Sequence, residues 1–264
     1  DVTFKNGSSD VVTIKEDFST VNNTSPSPVD YSQVISHSFE SSGTSVIITL
    51  DGLATSFGDQ NPILNALTLE QIDTSNNTDG IGTLTVTGRQ INAGSIFTNG
   101  AFLVTNSGNS SITGAINNGA TSAANLSKAG SGTLLLSANN TYTGQTNINA
   151  GIISITNPNS LGTTAGATII ASGASLSISN NITSPENITI SGTGISSNGA
   201  IRNTANDNTL TGLITLAADS EIQIDTGSSL TLNPTTGNAI TGAYNLTIDS
   251  VGTSSISDPI AIST

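Results

Sequence analysis

Short aliphatic segments recur along the chain at a spacing near twenty residues, and this repeat constrains the fold more than any other feature. Thr133-Leu134-Leu135-Leu136-Ser137 is echoed by Gly151-Ile152-Ile153-Ser154-Ile155 and then by Gly173-Ala174-Ser175-Leu176-Ser177-Ile178. A second echo joins Ile112-Thr113-Gly114-Ala115-Ile116, Leu210-Thr211-Gly212-Leu213-Ile214 and Ile240-Thr241-Gly242-Ala243-Tyr244. The clearest segments are 45–50, 66–72, 82–87, 133–137, 146–156, 168–170, 175–179, 188–191, 213–216, 221–225, 229–232 and 245–248. Many alternate with period two, as in Leu84 and Val86, Leu176 and Ile178, or Ile222 and Ile224, so each turns one row of side chains inward and one outward. No segment of helical length carries a 3.6-residue period. A period near twenty matches one coil of a parallel β-helix, with two or three strands per coil and coils about 4.8 Å apart. A dozen such coils predict a rod of about 55–60 Å. A β-sandwich also repeats short strands, but echoes of whole coils are not expected between sandwich strands.

Composition agrees. Only 9% of the 264 residues are charged and 3% are aromatic, with no Trp, Met or Cys. With six Phe and three Tyr as its only aromatics, such a chain has too few large side chains for a conventional globular core, whereas Ile, Leu, Val and Thr suit pleated surfaces. The expected class is all-β, a right-handed parallel β-helix. Residues 1–75 are read as irregular N-terminal coils or a cap with loop insertions, with Asn22-Asn23-Thr24-Ser25-Pro26-Ser27-Pro28 a loop by composition. Residues 76–264 are read as regular coils of one continuous solenoid, truncated at its C-terminal end.

Net charge is −13, from 18 acids against Lys5, Lys15, Arg89, Lys128 and Arg202. Nucleic-acid binding needs clustered cations, which this chain lacks, and an anionic membrane would repel it. Without cysteine there is neither a disulfide framework nor a thiolate metal site. No apolar stretch approaches the roughly 20 residues of a membrane helix.

Residues 126–151 carry a recognisable motif: Leu126-Ser127-Lys128-Ala129-Gly130-Ser131-Gly132-Thr133-Leu134-Leu135-Leu136-Ser137-Ala138-Asn139-Asn140-Thr141-Tyr142-Thr143-Gly144, then Gln145-Thr146-Asn147-Ile148-Asn149-Ala150-Gly151. This stretch resembles the passenger-associated repeat of autotransporter proteins. Gln145 stands where a second Gly is common, and Ile152 where Thr is common. The resemblance implies a secreted or surface-exposed rod, exported through periplasm and outer membrane by a membrane barrel elsewhere in the full-length protein. It implies contact with a host-cell protein or glycan, or with sister passengers. From residue types alone, Gly130 and Gly132 suit coil corners with positive φ. Leu134 and Leu136 fill the rod, Asn139 and Asn140 suit a turn with amides stacked between coils, and Tyr142 packs at a corner.

Catalytic constellations are poor. His37 is the single imidazole, in a Ser-rich stretch without a Gly-x-Ser-x-Gly elbow, so no catalytic residue is assigned. Asp219, Glu221, Gln223 and Asp225 alternate with Ile222 and Ile224, which predicts one outward acidic row with Asp219 and Glu221 about 7 Å apart. Such a row could hold calcium or do acid–base work on a polysaccharide, and equally serve as a soluble outer face. No cofactor or resident metal is assigned. The row Thr83, Thr85, Thr87 raises an ice-binding ladder, which the sequence does not continue in register. The expectation is a non-catalytic adhesin or self-associating rod. The alternatives are a carbohydrate-active β-helix and a spacer for a functional domain elsewhere.

Overall fold

The computed structural model describes the strand segments 2–6, 9–14, 45–50, 63–64 and 82–88, and then residues 90–262 apart from 99, 120–122 and 258. His37, the 22–28 loop and the 66–72 segment lie outside the described residues. The described chain is almost entirely β, a parallel β-solenoid of about seven turns. Its one helical element is the short 3-10 turn Ile195–Ser197.

Each coil has three sides. The first side stacks Gly82–Gly88, Gly100–Asn106, Asn125–Ala129, Thr146–Ile148, Thr168–Ile170, Ile188–Gly192, the start of Ile214–Ile224, Ile240–Gly242 and Ile260–Ile262. The second stacks Gln90–Ala93, Ser110–Ile112, Thr133–Leu136, Gly151–Ile155, Ala174–Ile178, Ile201–Asn203, the end of Ile214–Ile224 and Leu246–Ser250. The third contains the parallel pair Ile96–Thr98 and Ile116–Asn118, and later Thr183–Ser184, Asp207–Leu210, Ser229–Leu232 and Thr253–Ile256. The long strand Ile214–Ile224 turns a corner, contributing to the first and second sides in succession.

Register converts the sequence repeat into columns. On the second side Ala93, Ile112, Leu136, Ile155, Ile178, Asn203, Ile224 and Ser250 are successive partners. All but Ser250 are buried. Seven steps at ~4.8 Å make this column about 34 Å long. That is shorter than the rod expected from a dozen coils. Coil length explains the difference, because partner spacing does not hold at twenty: it is 18 residues from Leu84 to Phe102 and 26 from Ile188 to Ile214.

The ladder also crosses position 75. Ser45–Leu50 pairs in parallel with Gly82–Gly88 and antiparallel with Val2–Asn6, which pairs antiparallel with Ser9–Ile14. The parallel stack therefore gives way to antiparallel strands at its N-terminal end.

Corners demand close backbone approach. Gly130 has φ +76°, and a Cβ there would run into the carbonyl of Asn106 in the preceding coil. Gly132 serves differently from the sequence expectation: its φ is not positive, and it is required because a side chain would strike the Gly108 carbonyl.

Every inward column is continuous, so truncating one member leaves a void that neighbours above and below cannot fill. Leu136→Ala is expected to cost about 2–5 kcal/mol, read as a lower denaturation midpoint. An outward neighbour, Leu135→Ala, serves as the control and should cost less than half as much.

Candidate functional site

Two regions hold the polar side chains that could act: the acidic strand near the C-terminal end and the interior of the matched motif. In the first, the structure distributes the predicted acidic row among separate partners. Asp219 is exposed and accepts hydrogen bonds from the Asn245 backbone N–H (2.9 Å) and side-chain amide (3.1 Å) of the next coil, which hold its carboxyl below the usual range. Asp225 takes a bidentate ion pair with Arg202 of the preceding coil, at 2.9 Å for Nη2 to Oδ2 and 3.0 Å for Nε to Oδ1. Glu221 is nine-tenths covered, not exposed like its neighbour Asp219. Burial raises its pKa, and the nearby Asp249 carboxylate raises it further. Gln223 lies beside Asp249 in register. Among the described residues no three His, Cys, Asp or Glu side chains group closely enough to hold a metal ion. Arg202, Thr204, Gln223, Asp225, Thr226 and Val251 line an open depression at this surface.

The motif interior is more unusual. Period two from Leu126 places Lys128 inside the rod, in a column between Val104 and Ile148. Lys128 is fully buried. Its ammonium donates to the carbonyl oxygens of Ala129 (2.7 Å), Gly130 (2.8 Å) and Ala150 (3.2 Å), three acceptors for three N–H groups. Ala150 belongs to the next coil, so the lysine ties two coils together at a corner. Gly151, with φ +73°, leaves the room that Nζ occupies. Desolvation lowers the Lys128 pKa to about 8.

A second buried cluster runs along another corner. Tyr142 is fully buried, its hydroxyl 2.6 Å from Thr146 Oγ1, which in turn donates to the Leu161 carbonyl at 3.1 Å. Thr168 stacks on Thr146 in register and donates its hydroxyl to Glu186 Oε1 at 2.9 Å. Glu186 is 3% exposed, and among the described residues no cation pairs with it. Burial raises its pKa to about 7, against the opposing effect of the Thr168 hydrogen bond. Burial also raises the Tyr142 pKa, and the Glu186 charge adds to the rise. Asn140 bridges three coils, accepting from the Ile116 N–H at 2.8 Å and donating to the Ser160 carbonyl. It thus pairs with backbone on both sides and does not stack on an equivalent amide.

Neither Lys128 nor Glu186 was singled out by the sequence reading. The lysine was legible from its spacing to Leu126. Glu186 carried no signal, because its partner Thr168 lies 18 residues away across a coil.

The described architecture is that of a three-sided parallel solenoid with a polar, sealed interior seam. The family model for the passenger-associated-transport-repeat matches residues 126–155, a span that covers one coil and the first two sides of the next. No curated protein and no solved structure matches the chain. The matched repeat and the solenoid fit an autotransporter passenger domain, a class that is secreted or surface-exposed.

Two predictions follow from the buried charges. Lys128 binds its proton less tightly folded than unfolded, so the unfolded chain holds more protons between about pH 8 and the ordinary lysine value near 10.5. Stability therefore rises with pH through that window. Lys128→Met should flatten the rise and, by orphaning three carbonyls, cost about 2–4 kcal/mol at neutral pH; thermal melts across pH check both. Glu186 has the opposite sign. Its raised pKa contributes stability that is complete below 4.5 and is lost as pH rises through about 7. Glu186→Gln should remove that component of the melting profile.

Proposed function

We propose that this chain is a segment of a displayed rod that works by surface contact, as an adhesin or self-associating passenger, and performs no catalysis. The observation that carries the reading is the matched repeat inside a rod in which four of the described charged groups are already committed. Lys128 and Glu186 are sealed in the interior, Asp225 is paired with Arg202, and Asp219 is held by Asn245. A catalytic pair of carboxylates needs an open cleft and free acceptors, and the acidic strand supplies an open depression with paired ones. The outer faces offer Ser, Thr and Asn rows at the coil repeat, suited to hydrogen bonding with a glycan, a host-cell protein or another rod. Display at the bacterial surface after export through the outer membrane, by a barrel elsewhere in the full-length protein, completes the reading. No insertion of this segment into a membrane and no nucleic-acid contact are part of it.

A carbohydrate-active rod is the second reading, favoured by the Glu221–Asp249 proximity alone. The test joins two assays of the purified chain: adherence to cultured host cells, and reducing-sugar release from a polysaccharide panel. Saturable adherence with no sugar release is the expected result. Sugar release that disappears in Glu221→Gln would replace the contact reading with the enzymatic one.

A further inference from the structure

The charge of this chain is unevenly placed. Residues 1–89 hold 11 acids against 3 bases, residues 202–264 hold 6 against 1, and residues 90–201 hold only Glu186 and Lys128. Both of those are buried. Over these coils the described surface presents no charged side chain, within a chain of net charge −13.

Register sharpens this into one face. On the outside of the first side, Leu103, Ser127, Asn147, Ile169, Thr189 and Thr215 are successive partners, continued by Thr85 before them and by Thr241 after them. The column contains no charge at any rung, even where it runs into the acidic C-terminal coils. There the acids among the described residues stand elsewhere: Asp219 at the corner, Glu221 and Asp249 on the second side with Asp225 just past its end, and Asp207 at the start of a third-side strand; Asp258 lies outside the described residues. Ile169 is exposed at the middle of the column, and Thr189, Thr215 and Thr241 form a ladder of hydroxyls in register.

We propose that this uncharged first side is where a second copy of the chain docks, side against side. The inference rests on the contact reading above and names the partner and the face. A second copy is the occupant that the charge pattern selects. Two chains of −13 repel wherever acids meet, so a partner of the same charge gains most from a face whose rungs from Thr85 to Thr241 carry no acid. A cationic partner would instead be met by the acids of the second side. Size sets the strength. Seven steps of ~4.8 Å by three residues of ~3.3 Å give about 330 Å² per copy, below the ~800 Å² per partner of a standard stable interface. One contact is therefore weak and reversible, and many rods held side by side gain by avidity.

The experiment measures sedimentation of the full chain across concentration and salt. Wild type should associate reversibly, and more strongly as salt rises, because screening weakens repulsion between the acidic flanks while the uncharged contact is unaffected. Thr189→Glu with Thr215→Glu should weaken association at least about tenfold. Ser154→Glu with Ser177→Glu, an in-register pair on the second side, should leave it unchanged. Mixing the Glu pair with Thr189→Lys and Thr215→Lys should restore association, which a merely misfolded variant cannot do. Equal loss from both Glu pairs, or association that salt weakens, overturns the assignment. Wild type that stays monomeric yet adheres to cells, or binds a neutral polysaccharide, also overturns it while leaving the contact reading in place. Failure of association and adherence together removes both.

Discussion

The backbone ladder between coils is the interaction on which the rest of this molecule depends. Each rung pairs with the coil before and the coil after, so a single residue's position is fixed by equivalents a coil away, 18 residues from Leu84 to Phe102 and 26 from Ile188 to Ile214. Parallel pairing in register stacks equivalent positions, often like on like: Ile148 on Ile170 on Ile190, or Thr189 on Thr215 on Thr241. Because columns and not a central core carry the apolar packing, the rod needs no aromatic mass. Small β-branched residues suffice, since each touches its own kind above and below.

The same ladder explains why polar groups appear inside. A corner interrupts strand pairing and leaves carbonyls pointing into the rod, where water cannot reach them. Lys128 answers three such carbonyls with one ammonium, and Asn140 answers a donor from one neighbouring coil and an acceptor from the other. A buried cation without a carboxylate is costly, and the lowered Lys128 pKa expresses that cost. The carbonyl set offsets it because all three N–H groups are matched. Glu186 is the less complete case, with Thr168 as its hydroxyl partner and its protonated form favoured by burial. Both charges fall where the outer surface has none, so the interior of these coils is more polar in charge than the exterior.

The proposed contact role rests on what the ladder leaves on the outside. Side chains that point outward are repeated at the rung spacing, which produces extended rows in place of a pocket. Such rows suit contact over length, weak per rung and additive along the rod. The acidic strand shows how readily a row is broken into local pairs: Arg202 and Asn245, contributed by the coils on either side, claim Asp225 and Asp219 separately.

Much of this was legible in the residues. Period two in Leu84 and Val86, or Leu230 and Leu232, marked the strands and their inward faces, because a pleated strand alternates sides whatever it packs against. The motif around Lys128 marked the family-like repeat, and the burial of the lysine itself, although consistent with its spacing from Leu126, was recognised only in the folded chain. Coil length was not legible, since loops between strands vary by several residues without disturbing the ladder. For that reason the pairing of Arg202 with Asp225, of Thr168 with Glu186, and of Thr189 with Thr215 appeared only in the folded chain. Local alternation is a property of the strand and is written in sequence; which residue meets which across a coil is set by loop length and stacking, and only the tertiary structure decides it.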